Sequence, residues 1–254
     1  MFIYKNLLKS NFNFHNAKLI CFFYLLFPLL ASAANWEINP LRIDLTNEKQ
    51  TNILTIKNTS DTATTIQIQV LSWSQNGNQD EFEPTRDLLV SPPFVTIPPN
   101  SQQIVRTRLR RKADLNSELS YRINLVEISP DTPKEFNGVN VLMQVGLPVF
   151  IDPLKGKDEV KLSWTLEKGN DDLIKVTLMN QGKIHIKILD FSLSIKDEKE
   201  MLANENIPIY VMAGQSHTWS IKKINGKNIT SEKIKIKAFT DRGTLESNAI
   251  FTNN

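Results

Sequence analysis

The sequence predicts an all-β protein built of two β-sandwiches. From Trp36 onward, apolar residues recur with period two rather than 3.6. The alternating runs are short and are separated by clusters of turn residues, and no amphipathic stretch of ten residues reads as a helix. A chain of 254 residues, 41% hydrophobic and 22% charged, has room for two packed domains and is neither wholly disordered nor collagen-like.

Residues 1–33 stand apart. Lys5, Lys9 and Lys18 occur with no acid before Leu19, then Leu19 to Leu30 is apolar, then Ala31-Ser32-Ala33 follows. A basic region, an apolar core and small residues before the cut are the marks of a cleavable export signal. The apolar run is shorter than the ~20 residues a spanning helix needs, so no membrane insertion is expected after cleavage. The remainder, 34–254, holds 27 Lys+Arg against 27 Asp+Glu, a formal charge of zero that offers nothing to nucleic acid. Cys21, the only cysteine, lies in the signal, so no disulfide framework or cysteine nucleophile is expected. With His185 and His217 as the only histidines after the signal, no metal site is expected either.

The expected strands of the first half are Leu41–Leu45, Ile53–Ile56, Ile66–Trp73, Gln103–Leu109, Tyr121–Ile128 and Val139–Ile151. Those of the second are Val160–Leu166, Ile174–Met179, Ile184–Ile195, Ile207–Met212, Thr218–Ile221, Ile234–Phe239 and Leu245–Phe251. Turn clusters such as Asn58-Thr59-Ser60-Asp61 and Gln75-Asn76-Gly77-Asn78 separate them. A polar stretch with Pro and Gly, Asp152 to Asp158, divides the chain into domains at 34–152 and 157–254.

Enzymatic motifs are missing: there is no Gly-rich phosphate loop, GxSxG elbow or HExxH. His185 alternates with Ile184 and Ile186, which reads as a histidine facing solvent, and His217 reads as a turn residue. No catalytic residue and no cofactor is expected. Arg106, Arg108 and Arg110 share one strand face, read as a solvated outer face with a binding surface as the alternative. Lys233, Lys235 and Lys237 alternate in the same way and read as guards of a sheet edge. In Val139–Pro148 one register is apolar without a break: Val139, Val141, Met143, Val145 and Leu147. Two readings stay open, a last strand packed on its own core or an edge strand that lends these side chains to a partner.

The order of motifs resembles the periplasmic chaperones of the chaperone–usher pilus pathway. Asn39-Pro40-Leu41-Arg42-Ile43, then Leu88 to Pro93, Ile97-Pro98-Pro99-Asn100, Tyr121 to Ile128 and the strand ending Phe150-Ile151-Asp152-Pro153 carry the likeness. It covers domain 1; the second domain matches in length and strand richness. Val70-Leu71-Ser72-Trp73 and Tyr121-Arg122 look more like the archaic branch. The resemblance implies two immunoglobulin-like β-sandwich domains set at an angle with a cleft between them. It implies periplasmic capture of pilus subunits by donor-strand complementation, delivery to an outer-membrane usher, and no use of ATP. Carried onto this chain, the donor residues are Val139, Val141, Met143 and Val145. Arg42 matches the family's anchor for the subunit's C-terminal carboxylate. The usual lysine is replaced by Pro148, which makes Arg122 the substitute cation, with a structural role for Arg122 as the alternative. Glu127 and Asp152 match the places of the interdomain ion pair, although Asp152 stands where the family has Arg. The short Ser129–Gly138 connection and lack of cysteines place the chain away from long-loop members that assemble capsule-like polymers. A secreted two-domain module binding carbohydrate or a surface ligand is the rival reading. It needs an aromatic platform, yet Trp73, Trp164 and Trp219 fall in buried registers.

Overall fold

The structure is a computed structural model that describes residues 36–129, 141–155, 160–170, 172–195, 201–224 and 233–252. The signal, Val139 and part of the expected domain junction lie outside the described residues. No α-helix occurs among the described residues, and 18 strands do.

The first sandwich has two sheets. One runs β1 (Trp36–Asn39), β3 (Thr51–Asn58), β8 (Gln102–Leu109), β6 (Leu88–Ser91), antiparallel throughout. The other runs β2 (Ile43–Leu45), β10 (Gln144–Ile151), β9 (Leu119–Ile128), β4 (Thr64–Asn76), β5 (Gln79–Pro84), with β7 (Phe94–Ile97) beside the start of β4. Only β2 and β10 pair in parallel in this sheet. Alternation places Leu54, Ile56, Val105, Leu109, Ile123, Leu125, Leu147 and Val149 in one core between the sheets. Burying each such side chain is worth about 1.5–3 kcal/mol.

The second sandwich sets β11 (Leu162–Lys168), β12 (Leu173–Asn180) and β16 (Ser216–Lys222) against β13 (Ile186–Ile195), β14 (Met201–Glu205), β15 (Ile209–Val211) and β17 (Lys233–Thr240). Strand β18 (Gly243–Thr252) joins the two sheets: it pairs with β17, and its end runs parallel beside β11. Trp164, Trp219, Phe191 and the alternating Ile, Leu and Val of these strands fill the core.

Several expectations are corrected. The 13 expected strands omit β5, whose Gln-Asp-Glu-Phe-Glu-Pro is exposed throughout and carries no apolar period, and the short β1, β6, β7 and β14. The strand expected from Val139 begins at Gln144, because Met143 N–H donates to the Glu127 carboxylate instead of to the backbone of β9. Strand β17 is interior, paired with β13 and β18, so its lysines guard no edge; Lys235 instead bridges to Glu246 at 2.8 Å. His217 lies in β16, buried edge-on against Trp219 with a centroid distance of 4.5 Å. The outward face expected for Arg106 and Arg108 is observed, with Val105, Thr107 and Leu109 buried between and beside them.

Candidate functional site

Strand β10 pairs with β9 along its whole length but with β2 only over Val149–Ile151. Among the described residues, Gln144–Pro148 has no partner on its other side. Glu127 N–H donates to Met143 O at 2.9 Å, so Met143, Val145 and Leu147 turn their backbone groups toward β9. Gln144 and Gly146 therefore face the free edge with two N–H groups and two carbonyls, and Pro148, which has no N–H, adjoins the pairing with β2. Leu147 and Val149 are in the core, Met143 and Val145 are half-buried at its mouth, and Val141 is 77% exposed.

The opposite face of β10 meets the second sandwich. Phe150 is buried there with Trp73, Tyr210 and Met212, and it stacks on His185 with ring centroids 3.6 Å apart. Gln75 holds the backbone of Tyr210 and Met212, and Asn78 holds both backbone groups of Thr218.

Beside this cluster lies a buried chain of charge. Glu118, from the first sandwich, accepts from His185 N–H at 3.1 Å, and its two carboxylate oxygens lie 2.8 and 2.9 Å from His185 Nδ1. His185 Nε2 is 3.8 Å from Asp241, an ion-pair distance too long for a hydrogen bond. Asp241 accepts from Lys187 N–H at 3.1 Å and from Arg42 at 3.0 Å, and Arg42 also donates to Asp44 at 3.1 Å. Burial works against the imidazolium, but the carboxylates of Asp241 and Glu118 outweigh it, and the His185 pKa is raised. Burial likewise works against the Asp241 carboxylate, yet His185, the Lys187 amide and Arg42 hold its pKa down at about 2.

This overturns the expectation of a solvent-facing His185, which is only 2% exposed. Strand β13 starts at Ile186, so His185 lies between it and the bend at 182–184, where period two does not apply. Glu127 does not reach the junction of the sandwiches: its carboxylate accepts from Met143 N–H at 3.0 Å within the first one. Asp152 closes β10, its N–H donating to Leu45 O. The charged links between the sandwiches among the described residues are Glu118–His185, His185–Asp241–Arg42 and their backbone bonds; sequence reasoning found only Arg42 of these.

Arg122 does lie beside the donor strand. It sits opposite Pro148 and extends across Gly146, where a Cβ would fall on its guanidinium. Its guanidinium carbon is 5.1 Å from the Phe82 ring centre and 5.7 Å from that of Trp73. Arg122 thereby lines a pocket of about 360 Å³ between the sandwiches, together with Gly146, Pro148, Leu41, Tyr210 and Lys187.

Residues 35–157 match the family model described as pili and flagellar-assembly chaperone, PapD N-terminal domain. The first sandwich belongs to that family of pilus-chaperone domains. Solved chaperone structures share the chain's fold over both sandwiches. A chain of the CsuC–CsuE chaperone–tip adhesion subunit pre-assembly complex, from archaic chaperone–usher Csu pili of Acinetobacter baumannii, is 18% identical, with a TM-score of 0.64 over 86% of this chain and all of that one. The Salmonella enterica SafA pilin–SafB chaperone complex gives 15% identity and a TM-score of 0.58, over 86% of this chain and 97% of that one. The class 5 fimbriae chaperone CfaA gives 14% and 0.56, over 85% and 99%. No curated protein matches the chain. The fold is thus the two-domain, immunoglobulin-like architecture of pilus chaperones. Trp73, Trp164 and Trp219 are buried, which removes the aromatic platform that a carbohydrate-binding module would need from them.

Proposed function

We propose that this chain is a pilus-assembly chaperone of the periplasm, which captures pilus subunits that are sandwiches lacking one strand and passes them to an outer-membrane usher. The free edge of β10 at Gln144–Pro148 is the observation that carries this reading. An incoming strand pairs with the backbone of Gln144 and Gly146, a mode of β-strand addition of which chaperone–pilin complementation is a known case. Val139, Val141, Met143 and Val145 enter the subunit's groove as donors, each worth about 1.5–3 kcal/mol on burial. Arg122 serves the subunit's C-terminal carboxylate, for which a guanidinium fork is well suited, whereas Arg42, expected to share that role, is engaged by Asp44 and Asp241. The chemistry is binding rather than catalysis, and release is driven by the subunit folding further when another strand replaces β10. Complexes of structurally similar chaperones with a tip adhesion subunit and with a pilin support the reading.

The test is a pull-down of the tagged chain from its native periplasm, with intact-mass analysis of what accompanies it. A one-to-one complex with a smaller β-rich protein is expected. Val141→Asp is expected to lose that partner with an unchanged melting temperature, since Val141 faces solvent. Equal capture by Val141→Asp, or a lone chain from a periplasm containing pilus subunits, refutes the donor-strand reading.

A further inference from the structure

The cations at the junction of the sandwiches fall into two kinds. Arg42 is already held between two carboxylates, Asp44 at 3.1 Å and Asp241 at 3.0 Å. A third carboxylate arriving there would meet two like charges. Arg122 and Lys187 have no carboxylate within ion-pair distance among the described residues. Each is instead placed by an aromatic face: Arg122 by Trp73 and Phe82, and Lys187, whose Nζ is 5.1 Å from the Tyr210 ring centre. A π face fixes a cation without neutralising it, which leaves the full charge for an anion. Both side chains line the same pocket of about 360 Å³, and Gly146 and Pro148 of the free edge form another part of its wall. The one acid on its lining, Asp80, accepts from Gln75 at 2.9 Å.

We propose that Lys187 of the second sandwich and Arg122 of the first together hold the terminal carboxylate of the strand paired on β10, while Arg42 orders the junction through Asp241. This rests on the donor-strand reading and assigns a binding residue to the second sandwich. A strand ending beside Gly146 and Pro148 delivers its carboxylate into the pocket, so both sandwiches grip the subunit and their relative placement enters its affinity. Sequence reasoning had no route to Lys187, which is one lysine in a run of alternating Ile and Lys.

The test uses the full chain and the subunit that the wild type recovers from the periplasm. Dissociation is followed for the wild type, Lys187→Gln, Lys187→Arg and the Lys187→Gln/Arg122→Gln double variant. Each is paired with the native subunit and with one carrying a Gly-Ser-Gly extension that moves the carboxylate. Loss of one charge-assisted contact is expected to speed release about tenfold, with Lys187→Arg restoring retention. The extension is expected to speed release from the wild type but not from the double variant. Equal release from wild type and Lys187→Gln, or an undiminished effect of the extension on the double variant, overturns the assignment while the donor-strand reading stands. Recovery of no subunit by the wild type overturns both. An unchanged melting temperature for Lys187→Gln separates lost binding from lost folding.

Discussion

Replacing Glu118 with Gln isolates the electrostatic part of the junction. Glu118 is buried, with 2% of its side chain exposed, and it contacts both the backbone N–H and the ring Nδ1 of His185. Gln has nearly the same shape and keeps one oxygen for the backbone N–H, but it removes the charge facing the imidazolium. Asp241 at 3.8 Å is then the ring's only carboxylate neighbour among the described residues. Removing one partner of a buried ion pair costs about 3–5 kcal/mol. At about 2–4 °C per kcal/mol for a chain of this size, the melting temperature falls by roughly 6–20 °C. The effect has a pH signature. The folded-state pKa of His185 lies above its unfolded value, so the stabilisation is complete below the unfolded pKa of about 6.5 and disappears as pH rises through the folded pKa. Melting followed by circular dichroism at pH 6 and pH 9.5 is expected to show a large deficit at the lower pH and a small one at the higher. An equal deficit at both, or a wild type that gains stability over that range, refutes the charged-histidine account.

The acid side of the same network titrates in the opposite sense. Asp241, held at about 2, stabilises the fold above its unfolded pKa of about 3.8, and the contribution is lost as pH falls toward 2. Asp241→Asn is expected to flatten wild-type acid unfolding between pH 4 and 2, read by tryptophan fluorescence. Gly146→Ala places a methyl group where the Arg122 guanidinium lies and displaces it from the pocket. Melting is expected to move little, because the displaced group is the end of a flexible side chain, while retained subunit falls in the pull-down.

The sandwiches were legible because their strands alternate. Leu54 and Ile56, Ile123 and Leu125, Leu147 and Val149 each mark an inner face by period two alone. Strand β5 was not, since its residues are exposed and it is held by pairing with β4 across the Gly77 turn, where φ is +59°. The apolar register of β10 was legible for the same reason as the core. The junction was not: Glu118 and His185 are 67 residues apart, and no local pattern joins them. One signal was available. In the register of Gln144, Gly146 and Pro148, Phe150 is a lone aromatic on the face away from the core, and it is buried because the second sandwich covers it. That burial also explains the misreading of His185, whose surroundings come from the other domain rather than from its own strand.

The free edge limits what can be captured. Exposed strand edges recruit other chains indiscriminately unless their reach is restricted. Here the edge offers two N–H groups and two carbonyls, those of Gln144 and Gly146, because Pro148 has no N–H and pairing with β2 begins beside it. At about 0.5–1.5 kcal/mol per hydrogen bond, four such bonds supply only a few kcal/mol. Association itself costs about 4–15 kcal/mol in lost freedom, so backbone pairing with an arbitrary strand does not hold. The deficit is offset only by a partner with an apolar groove open to Val141, Met143 and Val145, and by a carboxylate at the pocket beyond Gly146. A complete sandwich has no such groove. On the donor-strand reading, selectivity for incomplete sandwiches therefore follows from the weakness of the edge as much as from the side chains beside it.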